Sequence, residues 1–123
     1  FRRVLFRSFL LALKLCLNSS NGGRTLIFDE VDSNVGGAVA AAVGERLVRL
    51  GAQTQTLVIT HSPQVAARGS HHLQIVKTAT DDNVVSATYP LDDAQRTEEI
   101  ARMLAGEIIT DQARAAAVAL LDA

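Results

Sequence analysis

Two short runs of mostly apolar residues stand out along the chain, at residues 25–28 and 56–60. Strands that are buried on both faces of a parallel sheet are hydrophobic without alternation, so both runs predict buried strands. Between them, residues 36–50 repeat apolar side chains at intervals of four, four and three, which is the spacing of an amphipathic helix: Val39, Val43, Leu47 and Leu50. Strand, helix and strand in this order predict a right-handed parallel crossover unit and therefore an α/β fold.

The C-terminal half of the chain predicts a hairpin followed by two helices. Residues 72–77 and 84–89 are rich in strand-forming side chains and flank a turn-like polar segment at residues 80–83. We predict that this hairpin extends the edge of the sheet. Residues 97–104 and 110–121 are predicted to be helical, because helix-forming residues with apolar periodicity are separated there by an Ala-Gly break.

The first residues follow a different pattern. Residues 1–8 contain three arginines and no initiator Met, and residues 9–17 are largely apolar, an order that superficially imitates a secretory signal. Lys14 interrupts the apolar run, however, and no small-residue cleavage site follows it. We interpret residues 1–8 as the translation of a sequencing adapter that was joined to a shortened reading frame. Residues 9–17 are predicted to be the end of a buried helix.

Composition narrows the class of protein. Of the 123 residues, 48% are hydrophobic and 20% are charged, which fits a globular unit rather than a disordered chain. One cysteine excludes a disulfide scaffold and suits a reducing cytoplasm. Twelve basic and 13 acidic residues give a formal net charge of -1, so no overall basic field marks a nucleic-acid surface. Any contact with DNA is expected to be local or to be made elsewhere.

Side chains that could bind a ligand or take part in catalysis follow each of the two predicted strands. Asp29 and Glu30 come directly after the first strand, and His61 comes directly after the second. Ligands of open parallel sheets collect at the carboxyl ends of the strands, so these three residues are expected to meet at one edge. There Asp29 suits Mg²⁺, directly or through water, and Glu30 suits the orientation of a water for attack on a γ-phosphate. The alternative is an ordinary solvated turn with a capping histidine.

Two further groups of polar residues are candidates for a functional site. Asp32 lies in a short polar loop with Gly36 and Gly37, and glycine allows another backbone to approach closely; an ordinary helix N-terminus is the alternative. His71 and His72 are adjacent, so on a strand they would face opposite sides. No cysteine or carboxylate accompanies them at ligand spacing, and no metal site is therefore predicted there.

Together, LIFDE at residues 26–30, Asp32 and His61 resemble the Walker B motif, the D-loop and the switch histidine of ATP-binding-cassette ATPases. The resemblance implies the P-loop NTPase fold of such an ATPase head, with ATP and Mg²⁺ as cofactors. It implies Asp29 for the Mg²⁺ shell, Glu30 as the catalytic base and His61 as the sensor of the γ-phosphate. For Asp32 it implies communication across a homodimer whose heads sandwich ATP.

Longer stretches narrow this resemblance. Residues 25–50, ITHSPQVAARG at residues 59–69 and IARMLAG at residues 100–106 resemble the C-terminal end of the RecN family. These bacterial DNA-repair proteins are similar to the structural-maintenance-of-chromosomes (SMC) proteins. The resemblance implies a cytoplasmic, nucleoid-associated ATPase that acts with DNA in the recombinational repair of double-strand breaks, without a membrane partner.

The sequence also departs from a complete ATPase head. It contains neither a Gly-x-x-x-x-Gly-Lys-Ser/Thr phosphate loop nor a Ser-Gly-Gly signature. We therefore expect residues 9–123 to be the C-terminal part of a head domain, and we expect the chain alone to lack ATPase activity. Two alternatives stay open at this point: the ATP-binding subunit of another system of this class, such as a transporter, or a non-catalytic dimerisation fragment.

Overall fold

The computed structural model describes residues 25–32, 35–80 and 83–123. The contacts among residues divide the chain into two compact units, Phe1–Arg68 and Gly69–Ala123, where the composition had suggested one. They are called the first and the second unit below. The helix predicted at residues 9–17 and the adapter-like residues 1–8 lie outside the described residues.

The first unit is built on a parallel strand pair. Strand β1 (Thr25–Asp29) pairs with β2 (Gln55–Ile59) in parallel, from Thr25 opposite Gln55 to Asp29 opposite Ile59. Helix α1 (Gly37–Gly51) connects the two strands. A four-residue helix, α2 (Pro63–Ala66), follows β2. The predicted strand, helix and strand are confirmed, and with them the α/β crossover unit.

The core of the first unit lies between one face of the strand pair and helix α1. Its fully buried members are Phe28, Ala40, Leu47, Leu50 and Val65. The predicted stripe of α1 was wrong at one position, because Val39 is 51% exposed and Ala40 is buried instead. There is also little room for a side chain at Gly44 of this face, where an added Cβ would lie 3.0 Å from Cγ of Arg68 and 3.3 Å from the Gln64 carbonyl oxygen. The spacing of apolar residues along the sequence does not reveal such a close approach.

The opposite face of the strand pair is open in the described part of the chain. Leu26 and Val58 pack against the core, but Ile27 is 59% and Leu57 is 43% exposed. The prediction of strands buried on both faces therefore differs from what is observed. A single crossover helix covers one face of a strand pair, and successive side chains of a strand point to opposite faces.

The second unit begins with an antiparallel hairpin. Strand β3 (Leu73–Thr80) pairs with β4 (Asn83–Pro90), from Leu73 opposite Pro90 to Thr80 opposite Asn83. The predicted hairpin is confirmed, but its predicted attachment to the parallel sheet is not observed. Among the described strands, β3 and β4 form a two-stranded sheet of their own. Cross-strand pairing is set locally by the turn, whereas no local feature determines which edge a hairpin joins.

Two helices complete the second unit. Helix α3 (Asp93–Ala105) begins four residues earlier than predicted, because Asp92 and Gln95 form a capping box. Helix α4 (Asp111–Leu121) follows, with the side chain of Thr110 accepting a hydrogen bond from the Ala113 amide at 3.2 Å. The helices bury Ile100, Ala101, Ala113 and Ala117. None of the helices in the described ranges combines the length and apolar composition needed to cross a bilayer.

Candidate functional site

The carboxyl ends of β1 and β2 lie side by side, as the sequence predicted. Asp29 is opposite Ile59, and the amide of Glu30 donates a hydrogen bond of 2.9 Å to the Ile59 carbonyl. Immediately after the strand, the backbone of Glu30 has a φ of 49°, in the left-handed region that few residues other than glycine adopt. β1 therefore ends at Asp29, because extended backbone does not continue through a residue with this φ.

Glu30 and His61 are brought into contact at this edge. Nε2 of His61 lies 3.2 Å from Oε1 of Glu30. The His61 side chain is 86% exposed and that of Glu30 is 47% exposed. Even with a charged imidazole, a contact this accessible to water would contribute little to stability, about 0–1 kcal/mol. The two side chains are therefore held by their backbones at an accessible edge, where a ligand could reach both.

Asp32 lies close to the same edge but is buried. It is 6% exposed, and its Oδ2 accepts a hydrogen bond from the hydroxyl of Thr60. Oγ1 of Thr60 in turn accepts a hydrogen bond of 2.9 Å from the amide of Ser62. Thr60 was not among the site residues predicted from the sequence. A hydroxyl residue at the end of a strand, directly before a candidate histidine, was the available signal.

The segment after His61 is fixed by the short helix α2. Ser62, rather than His61, occupies the N-cap position of this helix, and Pro63 begins it. The Ser62 hydroxyl hydrogen-bonds to Oε1 of Gln64 at 2.9 Å. The side-chain amide of Gln64 also lies near the start of α1, since its nitrogen would be 3.7 Å from a Cβ added at Gly37. His61 thus sits between the end of a strand and the start of a helix, which leaves its backbone little freedom.

The chemistry of Asp29 fits a magnesium ion that is held largely by other ligands. Asp29 is exposed at the end of β1. Within residues 25–32, 35–80 and 83–123, no three His, Cys, Asp or Glu side chains converge on a possible metal position. Mg²⁺ usually keeps several waters and is bound through one or two carboxylates plus phosphate oxygens, rather than by an all-protein cage. A lone accessible carboxylate is consistent with that mode of binding.

The second unit holds a separate network of charged residues. Hydrogen bonds from Arg102 lower the pKa of the Glu99 carboxyl below its ordinary value, and Gln74 donates a further bond of 2.7 Å to it. Burial and the charge of Arg96 lower the pKa of the neighbouring His72. Among the described residues, His71 and His72 belong to no cluster of three or more possible metal ligands. We interpret this network as structural, because ion pairs within a fold also shift pKa values.

Several curated relatives match most of the chain. It is 50% identical over 97 residues to the DNA repair protein RecN of Xylella fastidiosa strain 9a5c, which covers 79% of the chain and 17% of the relative. It is 44% identical over 113 residues to RecN of Rickettsia felis, covering 92% of the chain and 21% of the relative. It is 45% identical over 114 residues to RecN of Mycobacterium leprae, covering 93% of the chain and 19% of the relative. The chain belongs to the RecN family. It spans about a fifth of the length of these RecN proteins.

A solved structure of an SMC ATPase shows the same fold as this RecN segment. The TM-score is 0.62 at 16% sequence identity, and the match covers 85% of the chain and 60% of the SMC ATPase chain. That ATPase was studied for its ATP-driven dimerization and DNA-stimulated activation. The predicted fold class, an α/β fold of the P-loop NTPase type, is therefore confirmed. No family model matches the chain.

Proposed function

We propose that this RecN segment belongs to an ATP-hydrolysing, SMC-like protein that acts in the recombinational repair of DNA double-strand breaks. The contact of 3.2 Å between Glu30 and His61 is the observation that carries the proposal. It joins a carboxylate and an imidazole at the carboxyl edge of a parallel strand pair, where ligands of such sheets bind. Membership of the RecN family and the SMC ATPase fold support it.

Each residue of the edge has a proposed task. When bound, Mg-ATP supplies the γ-phosphoryl group and the metal that neutralises charge on it. Asp29 is proposed to bind the Mg²⁺, directly or through a water. The Glu30 carboxylate accepts a hydrogen bond from a water and orients it, the positioning that phosphoryl transfer requires. His61 is proposed to donate a hydrogen bond from its imidazole to a γ-phosphate oxygen.

Other parts of the proposal concern the complete protein. We propose that residues 9–123 are the C-terminal part of a head domain, that two heads dimerise around ATP, and that Asp32 takes part in communication between them. DNA is the proposed macromolecular partner and the cytoplasm, at the nucleoid, the proposed location. The SMC ATPase with the same fold, described through ATP-driven dimerization and DNA-stimulated activation, supports dimer and DNA as partners.

The test uses the full-length protein that contains this segment. We expect it to hydrolyse ATP in the presence of Mg²⁺, and we expect Glu30→Gln to bind ATP normally, to hydrolyse none and to stabilise the ATP-bound dimer. Glu45→Gln, at an exposed position of α1, is the matched control and should hydrolyse ATP at the normal rate. Steady-state ATPase assays measure hydrolysis, and size-exclusion chromatography with ATP measures the ATP-bound dimer. Unchanged hydrolysis by Glu30→Gln would exclude Glu30 as the catalytic base.

The isolated chain provides a second test. We propose that it binds ATP weakly or not at all, because the phosphate loop and the signature are missing from its sequence. Isothermal titration of the 123-residue chain with Mg-ATP measures this affinity. Tight binding would contradict the proposal that the nucleotide site needs further residues.

A further inference from the structure

The hydroxyl of Thr60 links the two loops that form the candidate site. It donates a hydrogen bond to the carboxylate of Asp32, in the loop after β1, and accepts one of 2.9 Å from the amide of Ser62, in the loop after β2. A threonine hydroxyl has one donor hydrogen, so the direction of this chain of bonds is fixed. Because threonine is branched at Cβ, few rotamers compete with the one that makes both bonds.

Asp32 gives this link a firm anchor. A carboxylate that is only 6% exposed is costly to bury, and it is tolerated when a donor satisfies it. Its own carbonyl accepts a hydrogen bond of 3.3 Å from the Val35 amide, which closes a turn. Thr60 is thereby tied to a buried, internally bonded group rather than to a mobile surface side chain.

His61 lies in the chain between Thr60 and Ser62, the residue whose amide donates to the Thr60 hydroxyl. Its side chain is 86% exposed and contacts Glu30, so packing around the imidazole does not fix its position. The position is determined instead by the backbone on either side, through the hydroxyl of Thr60 and the amide of Ser62. Loss of that hydroxyl would leave the His61 backbone free to shift relative to Glu30.

We infer that Thr60 is a positioning residue for ATP hydrolysis, which uses the buried carboxylate of Asp32 to hold the loop of His61 at its distance from Glu30. This inference rests on the proposed function, and it adds a residue to which the motif resemblance gave no role. It also gives Asp32 a task within its own chain, in addition to the one proposed between heads.

The test compares three substitutions in the full-length protein. Thr60→Val replaces the hydroxyl by a methyl group of similar shape, and Thr60→Ser keeps the hydroxyl. Thr56→Val makes the same change within β2, the strand just before Thr60, where the hydroxyl donates a hydrogen bond of 2.9 Å to the nearby Thr54 carbonyl. Two quantities are measured for each: the kinetic constants kcat and KM for ATP, and amide hydrogen exchange by mass spectrometry in a peptide that contains Ser62.

We expect Thr60→Val to lower kcat about ten- to a hundredfold with little change in KM, the loss typical of a reacting group misplaced by about 1 Å. Exchange in the peptide containing Ser62 should become faster, because that amide loses its acceptor. Thr60→Ser should restore both quantities, and Thr56→Val should change neither.

The two readouts separate the possible failures. Unchanged exchange in Thr60→Val would overturn the link itself, whatever the activity. Faster exchange with unchanged kcat would reduce Thr60 to a structural residue and overturn the inference while leaving the proposed function intact. Absence of ATP hydrolysis in the unsubstituted protein would contradict the proposed function, and the positioning role with it, even if the exchange data confirmed the bond.

Discussion

Nε2 of His61 lies 3.2 Å from Oε1 of Glu30 because the two strands before them are parallel and in matched register. Asp29 and Ile59 are partners in that register, so the residues just beyond them leave the sheet at the same edge. The contact is thus a product of topology and not of a strong attraction between the side chains. It follows that the pair can be altered chemically without loss of the fold.

The first prediction separates activity from stability at this pair. We expect His61→Ala to abolish ATP hydrolysis by the full-length protein but to change the free energy of unfolding of the chain by less than about 1 kcal/mol, as is usual for exposed ion pairs. ATPase assays and urea unfolding measure the two effects. A large loss of stability would show that the imidazole supports the fold, which its 86% exposure argues against.

The second prediction concerns Asp29 and magnesium. We expect Asp29→Ala in the full-length protein to raise the Mg²⁺ concentration needed for half-maximal ATP binding, because an oxygen ligand of the ion is removed. Titration with Mg²⁺ at fixed ATP measures this concentration. Glu107→Ala removes another exposed carboxylate, far along the sequence, and should have no effect. Equal Mg²⁺ requirements for both variants would remove Asp29 from the metal site.

The third prediction tests the core beneath the site. Phe28 is 2% exposed, whereas its neighbour Ile27 is 59% exposed. We expect Phe28→Ala to lower the free energy of unfolding of the first unit by about 3–5 kcal/mol, through lost burial and the cavity that remains. Ile27→Ala should cost much less. Hydrogen exchange of peptides from β1 and β2 in the 123-residue chain reports on this unit, and similar effects of the two substitutions would contradict the observed burial.

Much of the site could be predicted because parallel strands place their ends together. The apolar runs identify β1 and β2, and Asp29, Glu30 and His61 follow from their positions after those runs. Thr60 could not be assigned a role in this way, because its importance depends on Asp32 being buried beside it, a tertiary property.

The errors in the prediction of the fold have similar causes. Hydrophobic periodicity favours Val39 over Ala40 of α1, but it cannot show which of the two positions the tertiary contacts bury. The early start of α3 could have been predicted from Asp92 and Gln95, whose spacing is that of a capping box. The sheet to which the hairpin belongs is a long-range property, and no local pattern specifies it.

The fourth prediction tests that capping box. The Asp92 side chain accepts a hydrogen bond of 2.8 Å from the Gln95 amide, at the start of α3. We expect Asp92→Ala to lower the free energy of unfolding of the second unit by about 1 kcal/mol and Asp92→Asn to cost little, since asparagine is also a good N-cap. The chain has one tyrosine and no tryptophan, so fluorescence of Tyr89 on β4 reports on this unit alone. Equal losses in the two variants would contradict a capping role.

The last prediction is a pH dependence that originates at His72. Burial, followed by the positive charge of Arg96, lowers the pKa of His72 below its ordinary value of 6.5, and the carboxylate of Glu99 opposes this shift only in part. Its Nδ1 is buried without a hydrogen-bond partner among the described residues. As the pH falls, the imidazole of the unfolded chain therefore takes up its proton at a higher pH than that of the folded chain. The contribution of His72 to stability is complete above about pH 6.5 and is lost as the pH falls from there through the lowered pKa.

We accordingly expect the urea midpoint of the second unit, followed by Tyr89 fluorescence, to decrease between pH 7.5 and pH 5. In His72→Gln, which cannot titrate, this decrease should be smaller, and in His71→Gln, at the exposed neighbouring position, it should be unchanged. Glu99 does not contribute to the decrease in stability between pH 7.5 and pH 5. Its hydrogen bonds with Arg102 lower its pKa from 4.5, so its protonation affects stability only at more acidic pH. Parallel pH profiles for His72→Gln and the unsubstituted chain would show that burial of this imidazole carries no proton linkage.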